Sequence, residues 1–270
     1  MTVLDELPGV PLADVVTDAA LMTRVDRKYL LVRGRHDGLL GALVEDVLGP
    51  QEARVLEIDG RRTFRYESTY LDTPDDAGFR GAARRRRRRF KVRVRHYVDT
   101  GERHLEVKTR GVRGTTVKDR APLDPSVEGD ALLPEARAYV AARLAEAGVE
   151  AVDVAELRPA LTTSYRRATV WLPRSGARLT LDADLVWSLP GGVRRAADGL
   201  VVMETKTPAG VRAHLDRALW RAGCRPARFS KYGTGRALLD PNLPANRWHR
   251  VIERDLSGEA SLPTLTRSTP

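Results

Sequence analysis

The chain has 270 residues, a hydrophobic fraction of 42% and a formal net charge of +10, enough for a sizeable core in one large domain or two small ones. Its single cysteine, Cys224, excludes an internal disulfide and fits a reducing cytoplasm. No apolar run approaches the roughly 20 residues that span a bilayer, and the acidic start lacks a signal pattern. The expectation is a soluble, cytoplasmic chain, not itself transmembrane, with a membrane-protein partner left open. The basic balance calls for an anionic partner: nucleic acid, a membrane surface or a phosphorylated small molecule.

In chain order, residues 11–22 suggest a short helix. "TRVDRKYLLV" alternates like a strand, and "RHDGLLGALVEDVLG" is an amphipathic helix with Asp37 as its candidate N-cap. "ARVLEIDG" and "TFRYESTYLDT" are rich in β-branched and aromatic residues and read as strands. Pro74 opens a short helix to about Ala83. "RRRFKVRVRHYV", "ERHLEVKTRG" and "GTTVKDRAPL" follow as three strands with glycine at both turns, and "PEARAYVAARLAEAG" is a helix. "LTTSYRRATVWLP", "ARLTLDADLVW" and "LVVMETKTP" read as strands, "GVRAHLDRALWRAG" and "KYGTGRALL" as helices. Residues 241–270 are expected to form a poorly packed tail. Many evenly spaced, mainly antiparallel strands suggest a barrel or a sandwich.

Residues i and i+2 of a strand share a face. On that rule Arg24, Asp26 and Lys28 lie together, as do Arg89, Lys91, Arg93 and Arg95, with Phe90, Val92 and Val94 opposite. Glu106, Lys108 and Arg110 share a face, as do Lys118 and Arg120, Tyr165 and Arg167, and Glu204 and Lys206. Thr180, Asp182 and Asp184 fit the pattern only in part. A single such strand is ordinary half-solvated sheet. Six of them, mostly cationic with an occasional carboxylate, suit an interior lined by charge and covered outside by helices. Such a lining is self-repelling, so it implies water, counter-ions or a polyanion, with triphosphate or polyphosphate as the natural guest. The carboxylates would then suit Mg²⁺ or Mn²⁺ shared with phosphate oxygens.

Of the 46 basic residues only six are lysine: Lys28, Lys91, Lys108, Lys118, Lys206 and Lys231. Against this arginine-rich background the lysines fall in the alternating segments and in "FSKYGTG". A site that needs compact ammonium groups would retain them; chance is the competing reading.

The blocks "RVDRKYLL", "STYLDTPD", "RFKVRVRHY", "EVKTRG", "SYRRA", "LTLDADL", "METKTP" and "FSKYGTG" resemble, in the same order, those of VTC domains, the polyphosphate polymerase branch of the CYTH-like triphosphate tunnel metalloenzymes. The resemblance covers about Thr23 to Leu239. It implies an α+β fold: an eight-stranded antiparallel β-barrel tunnel with helices packed outside, in a single domain over residues 1–240. It implies metal-dependent growth of polyphosphate from the ATP γ-phosphate. Arg93, Arg95, Lys206 and Lys231 would be catalytic. Arg24, Lys28, Lys91, Lys108, Lys118 and Arg167 would bind substrate. Glu204 would be the principal metal ligand, with Glu106, Asp182 and Asp26 as further acidic ligands for Mn²⁺ or Mg²⁺.

Two departures matter. Arg24 replaces the first acid of the E-x-E-x-K opening of the triphosphatase and cyclase branch, which favours the polymerase branch. Asp26 is one methylene shorter than the usual Glu. The rival readings are a tunnel hydrolase of inorganic or nucleoside triphosphate, a non-catalytic polyphosphate binder, and a nucleic-acid binder. Aromatic residues make up only 6% and the basic strands are interleaved with valine, so no specific nucleic-acid partner is expected. No Cys/His cluster, Walker loop or Ser/His/Asp set is visible.

Overall fold

A computed structural model describes residues 2–17, 24–49, 52–110, 116–124 and 132–257. Residues 18–22 of the first expected helix, Thr23, the Gly114–Thr115 start of one strand and residues 258–270 of the expected tail lie outside them. The class is α+β. The strands are β1 (Gly9–Val10), β2 (Arg24–Val32), β3 (Arg54–Leu56), β4 (Phe64–Asp72), β5 (Phe90–Tyr97), β6 (Arg103–Arg110), β7 (Thr116–Leu123), β8 (Arg158–Leu172), β9 (Ala177–Ser188), β10 (Arg194–Ala196) and β11 (Leu200–Pro208). Eight of them form one antiparallel path, β2-β11-β9-β8-β4-β5-β6-β7, with short β1, β3 and β10 attached beside it.

Contacts group the chain into two compact units. Unit 1 comprises residues up to Phe64, Tyr165–Leu185 and Ala197–Arg228; unit 2 comprises Arg65–Ser164, Val186–Ala196 and residues from Phe229 on. β4, β8 and β9 each change unit along their length.

In unit 1 the apolar residues that alternate with charge, Tyr29, Leu31, Leu179, Leu181 and Met203, pack with helix α2 (Leu39–Leu43), its π-helical continuation Val44–Leu48 and helix α5 (His214–Arg221). Burying each large side chain stabilises by about 1.5–3 kcal/mol. Asp216, fully buried, ties α5 to this layer by accepting hydrogen bonds from Tyr29 Oη (2.7 Å), Thr205 Oγ1 (2.7 Å) and Arg27 Nη1 (2.9 Å). The expected N-cap role of Asp37 is corrected. Its Oδ1 accepts from Gly34 N at 3.0 Å and closes the preceding turn, while Gly38 stands at the cap with φ 77°, a left-handed conformation suited to glycine. Asp184, which fits the charged-face pattern only in part, stands at φ 54° and pairs with Arg166 in solvent.

In unit 2, Phe90, Val92, Val94, Leu105 and Val107 form the apolar face of β5 and β6, covered by Ala136, Val140 and Leu144 of helix α4 (Pro134–Glu146). Helix α3 (Ala77–Ala83) begins three residues after Pro74. Asp72, at the end of β4, accepts from Gly78 N and Phe79 N at 2.8 Å each, satisfying donors that no helix can satisfy internally. Helix α6 (Lys231–Leu239) is capped by Ser230, whose Oγ accepts from Gly233 N at 3.1 Å.

The described part of the expected loose tail, residues 241–257, is packed. It carries helix α7 (His249–Val251) and a π-helical turn, Ile252–Leu256. Trp248, 2% exposed, lies with its ring centroid 5.4 Å from that of Phe79. One large aromatic anchor thus holds a segment whose composition reads as loop. This explains two glycines of "YGTG". A Cβ on Gly233 would fall 2.1 Å from Trp248 Cζ2, and one on Gly235 2.2 Å from Trp187 Cδ1. Gly235→Ala is therefore expected to destabilise the protein by about 1–3 kcal/mol, the usual range for overpacking, as read by denaturant unfolding.

Candidate functional site

The register of unit 2 builds a charged face row by row. Directly opposed residues on neighbouring strands share a face, and successive rows lie about 7 Å apart along the strand. Lys91, Lys108 and Lys118 face one another across β5, β6 and β7. The next row is Tyr70, Arg93, Glu106 and Arg120, and the third is Ser68, Arg95 and His104. A row of three lysines is unfavourable by itself. Two local devices temper it. Lys118 Nζ reaches back to Glu106 Oε1 at 2.8 Å. Lys91 Nζ donates to Ser230 Oγ at 3.1 Å and sits 5.6 Å and 5.7 Å from the ring centroids of Tyr70 and Tyr232, within cation–π range.

Glu106 is the hub of this face. Its carboxylate accepts from Arg93 Nε at 2.6 Å, Arg95 Nε at 3.2 Å and Lys118, and its side chain is 3% exposed. Burial alone would raise its pKa; the charges of Arg93, Arg95 and Lys118 outweigh burial and hold it well below the carboxylate range. Arg93 Nη1 also donates to Tyr70 Oη at 3.2 Å. Glu106, an expected metal ligand, is here the acceptor of an ion-pair cluster. Both oxygens are committed to three bases, so it acts as the counter-ion that fixes the R-x-R pair. Burial, reinforced by the charge of Arg120, lowers the His104 pKa, which keeps the ring neutral near pH 7.

Unit 1 presents a second face. Lys28, Glu204 and Thr180 oppose one another across β2, β11 and β9, and Asp26, Lys206 and Arg178 form the adjoining row. Lys28 Nζ meets Glu204 Oε1 at 2.6 Å. Arg167 forks onto Asp182, Nε to Oδ1 at 2.6 Å and Nη2 to Oδ2 at 2.8 Å, the bidentate geometry only arginine offers. Arg24 pairs with Asp26 at 3.1 Å near the surface. Glu204, which burial would raise, is instead held well below its usual pKa by Lys28, Lys206 and Arg167. Burial lowers Lys206 to about 8, against the opposing pull of Glu204.

Among the described residues no three His, Cys, Asp or Glu side chains converge as a metal cage. The donor set still fits one kind of ion. Glu204 and Asp182 lie one row apart on paired strands, where an ion would share them with Lys28 and the Arg167 fork, and Thr180 Oγ1, opposite Glu204, is buried with no hydrogen-bond partner. One or two carboxylates, completed by water and phosphate oxygens, is how Mg²⁺ and Mn²⁺ are commonly held.

Unit 1 thus gathers Arg24, Asp26, Lys28, Arg167, Asp182, Glu204 and Lys206; unit 2 gathers Lys91, Arg93, Arg95, Glu106, Lys108 and Lys118. Lys231 stands apart from the rows, at the first position of α6, where its carbonyl accepts from Trp187 Nε1 at 2.8 Å. Tyr70, Tyr232, Ser230 and Arg178 join these surroundings without having been singled out. For Arg178 the signal was present, since it is in phase with Thr180 and Asp182. Tyr232 sits inside the "SKY" block beside Lys231.

Solved structures with a similar trace include the PH1819 protein from Pyrococcus horikoshii OT3, 11% identical over 77% of this chain and 97% of that one, TM-score 0.41. Another is the putative adenylyl cyclase HpAC1 from Hippeastrum, described as having a dominant triphosphatase activity, 14% identical over 80% of this chain and 96% of that one, TM-score 0.41. No curated protein matches. The family model for the VTC domain matches residues 24–240, most of the chain and every row described above, and the chain belongs to the VTC domain family.

Proposed function

We propose that this chain is a metal-dependent polyphosphate polymerase, transferring the γ-phosphate of ATP to the end of a growing polyphosphate chain and releasing ADP. The observation that carries the reading is the three-lysine row beside an arginine pair already locked by its own counter-ion, within a VTC domain. Cations arranged in advance, with little freedom left to lose, are what a reaction dominated by positioning and charge neutralisation requires.

In this reading Arg93 and Arg95 hold phosphate oxygens, and the lysine row spreads positive charge along the chain. Glu204 and Asp182 would hold the divalent ion, which when bound supplies charge neutralisation at the phosphate oxygens. The bond from the γ-phosphorus to the β–γ bridging oxygen breaks, and a bond forms to a terminal oxygen of the acceptor chain. That oxygen is already ionised at neutral pH, so no side chain has to take a proton.

The test is product analysis after incubation with γ-labelled ATP and Mn²⁺. Label in a polymer ladder is expected. Labelled free phosphate without polymer would make the chain a triphosphate hydrolase. Tight binding with neither product would make it a polyphosphate binder.

A pH effect accompanies the reading. Lys206, at about 8, is charged at neutral pH and loses its proton as pH rises past that value. Affinity for tripolyphosphate, measured by calorimetry without metal, should then fall by about tenfold, as expected for loss of a charged contact. Lys206→Arg should abolish the fall, because arginine stays charged throughout.

A further inference from the structure

Arg84 to Arg88 are five consecutive arginines, all exposed. Their backbone is tightly specified. Arg86 N bonds Gly81 O at 2.9 Å and Arg85 N bonds Ala82 O at 3.2 Å, the paired bonds of a Schellman turn ending α3. Arg85 occupies the left-handed position of that turn at φ 55°, a place that ordinarily goes to glycine. Arg89 Nη1 closes the loop by donating to Arg86 O at 2.9 Å. The five side chains thus leave an ordered turn, with the Arg88 guanidinium lying against Gly148 just past the end of α4. Among the described residues none of them has a carboxylate partner.

The run continues into the charged face of unit 2. Arg89 is followed by this face, and burial, with the like charge of Arg110 added, depresses its pKa. Then come the row of Lys91, Lys108 and Lys118 and the row of Arg93 and Arg120. From Arg89 to Arg95 the cations follow β5 for about 20 Å at strand rise, in phase throughout. Glu106 is the one carboxylate in these rows, and it is consumed by its three bases.

We infer that Arg84–Arg88 is the outer end of a polyanion track and that its occupant is linear polyphosphate leaving or entering the charged face. The identity of the occupant rests on the polymerase reading; the track itself rests on the geometry. A linear chain with charge on every unit matches rows repeating every two residues. The run offers nothing for a base to stack on: residues 84–88 include no aromatic, and base stacking is the usual companion of charge in single-strand binding. It offers nothing to enter a lipid surface either, since residues 84–88 carry no apolar side chain.

The experiment compares binding of long-chain polyphosphate and of tripolyphosphate to the full chain, without ATP or metal. One variant combines Arg85→Gly, which suits the left-handed position, with Arg84→Gln, Arg86→Gln, Arg87→Gln and Arg88→Gln. A second changes all five arginines to lysine. The glutamine variant should bind long chains at least about tenfold more weakly and with a shallower salt dependence. Its tripolyphosphate affinity should stay within about twofold, and the lysine variant should recover long-chain binding, since phosphate charge needs no fork geometry here. Unchanged long-chain affinity overturns the inference, as does equal loss for both ligands. So does loss of duplex DNA or phosphatidylserine-vesicle binding with long-chain binding intact, which would reassign the run to those partners. No polymer from labelled ATP would sink the polymerase reading while leaving these binding results standing; normal synthesis with unchanged long-chain affinity would sink the track alone.

Discussion

Glu106→Leu is expected to destabilise unit 2 by about 3–5 kcal/mol, the range for stranding the partners of a buried ion pair. The reason is the hub geometry. Arg93, Arg95 and Lys118 all lean on this one carboxylate, and the Arg95 side chain is only 6% exposed. Without Glu106 three cations repel at short range, and Arg95 is left with little water to screen it. Denaturant unfolding would read the loss. Tripolyphosphate should restore more stability to the variant than to the parent, because an added anion takes the vacant counter-ion role and ligand binding to the folded state adds to stability. A loss under about 1 kcal/mol, at the level of an exposed pair, would show that the hub carries no such load.

The same residue gives an acid signature. Its folded pKa lies below the unfolded value, so its contribution is fully present above about pH 4.3 and is lost as pH falls from there toward the folded value. Glu204, also depressed, acts in the same direction. Stability of the parent should therefore drop steeply on the acid side. The Glu106→Leu variant, already lacking one of these two contributions, should show a flatter acid limb.

Much of the sheet was legible because a strand writes its burial into a period of two. Val92 and Val94 on one side with Arg93 and Arg95 on the other require no knowledge of neighbours, and the eight long strands follow from that rule. What failed to show depends on partners remote in sequence. Trp248 reads as part of a polar tail until Phe79 and Gly233 are placed against it. Asp72 reads as a strand end, yet it caps α3 and meets the Tyr232 hydroxyl across 160 positions. Period also cannot say which charges pair. It puts Glu106 on a face of cations but not at the centre of three of them. Asp37 reads as a cap because the pattern cannot show that Gly38, in a left-handed conformation, takes that place instead.

Glu204→Gln is expected to separate binding from turnover. The substitution keeps shape and removes the charge that would hold the divalent ion. Product formation from ATP and Mn²⁺ should fall by about 10²–10³, the cost of losing one preorganised electrostatic partner of the transition state. Binding of tripolyphosphate without metal should not fall in parallel. Lys28, which now donates to Glu204 at 2.6 Å, is released toward the phosphate, and one like charge is removed from the face. The pH dependence should move as well. Glu204 is the main group holding the Lys206 proton against burial, so its loss shifts the fall in tripolyphosphate affinity to lower pH. A variant that kept turnover within about twofold of the parent would exclude Glu204 from the metal site. A variant that lost metal-free binding along with turnover would instead make Glu204 a structural anchor of Lys28 and Lys206.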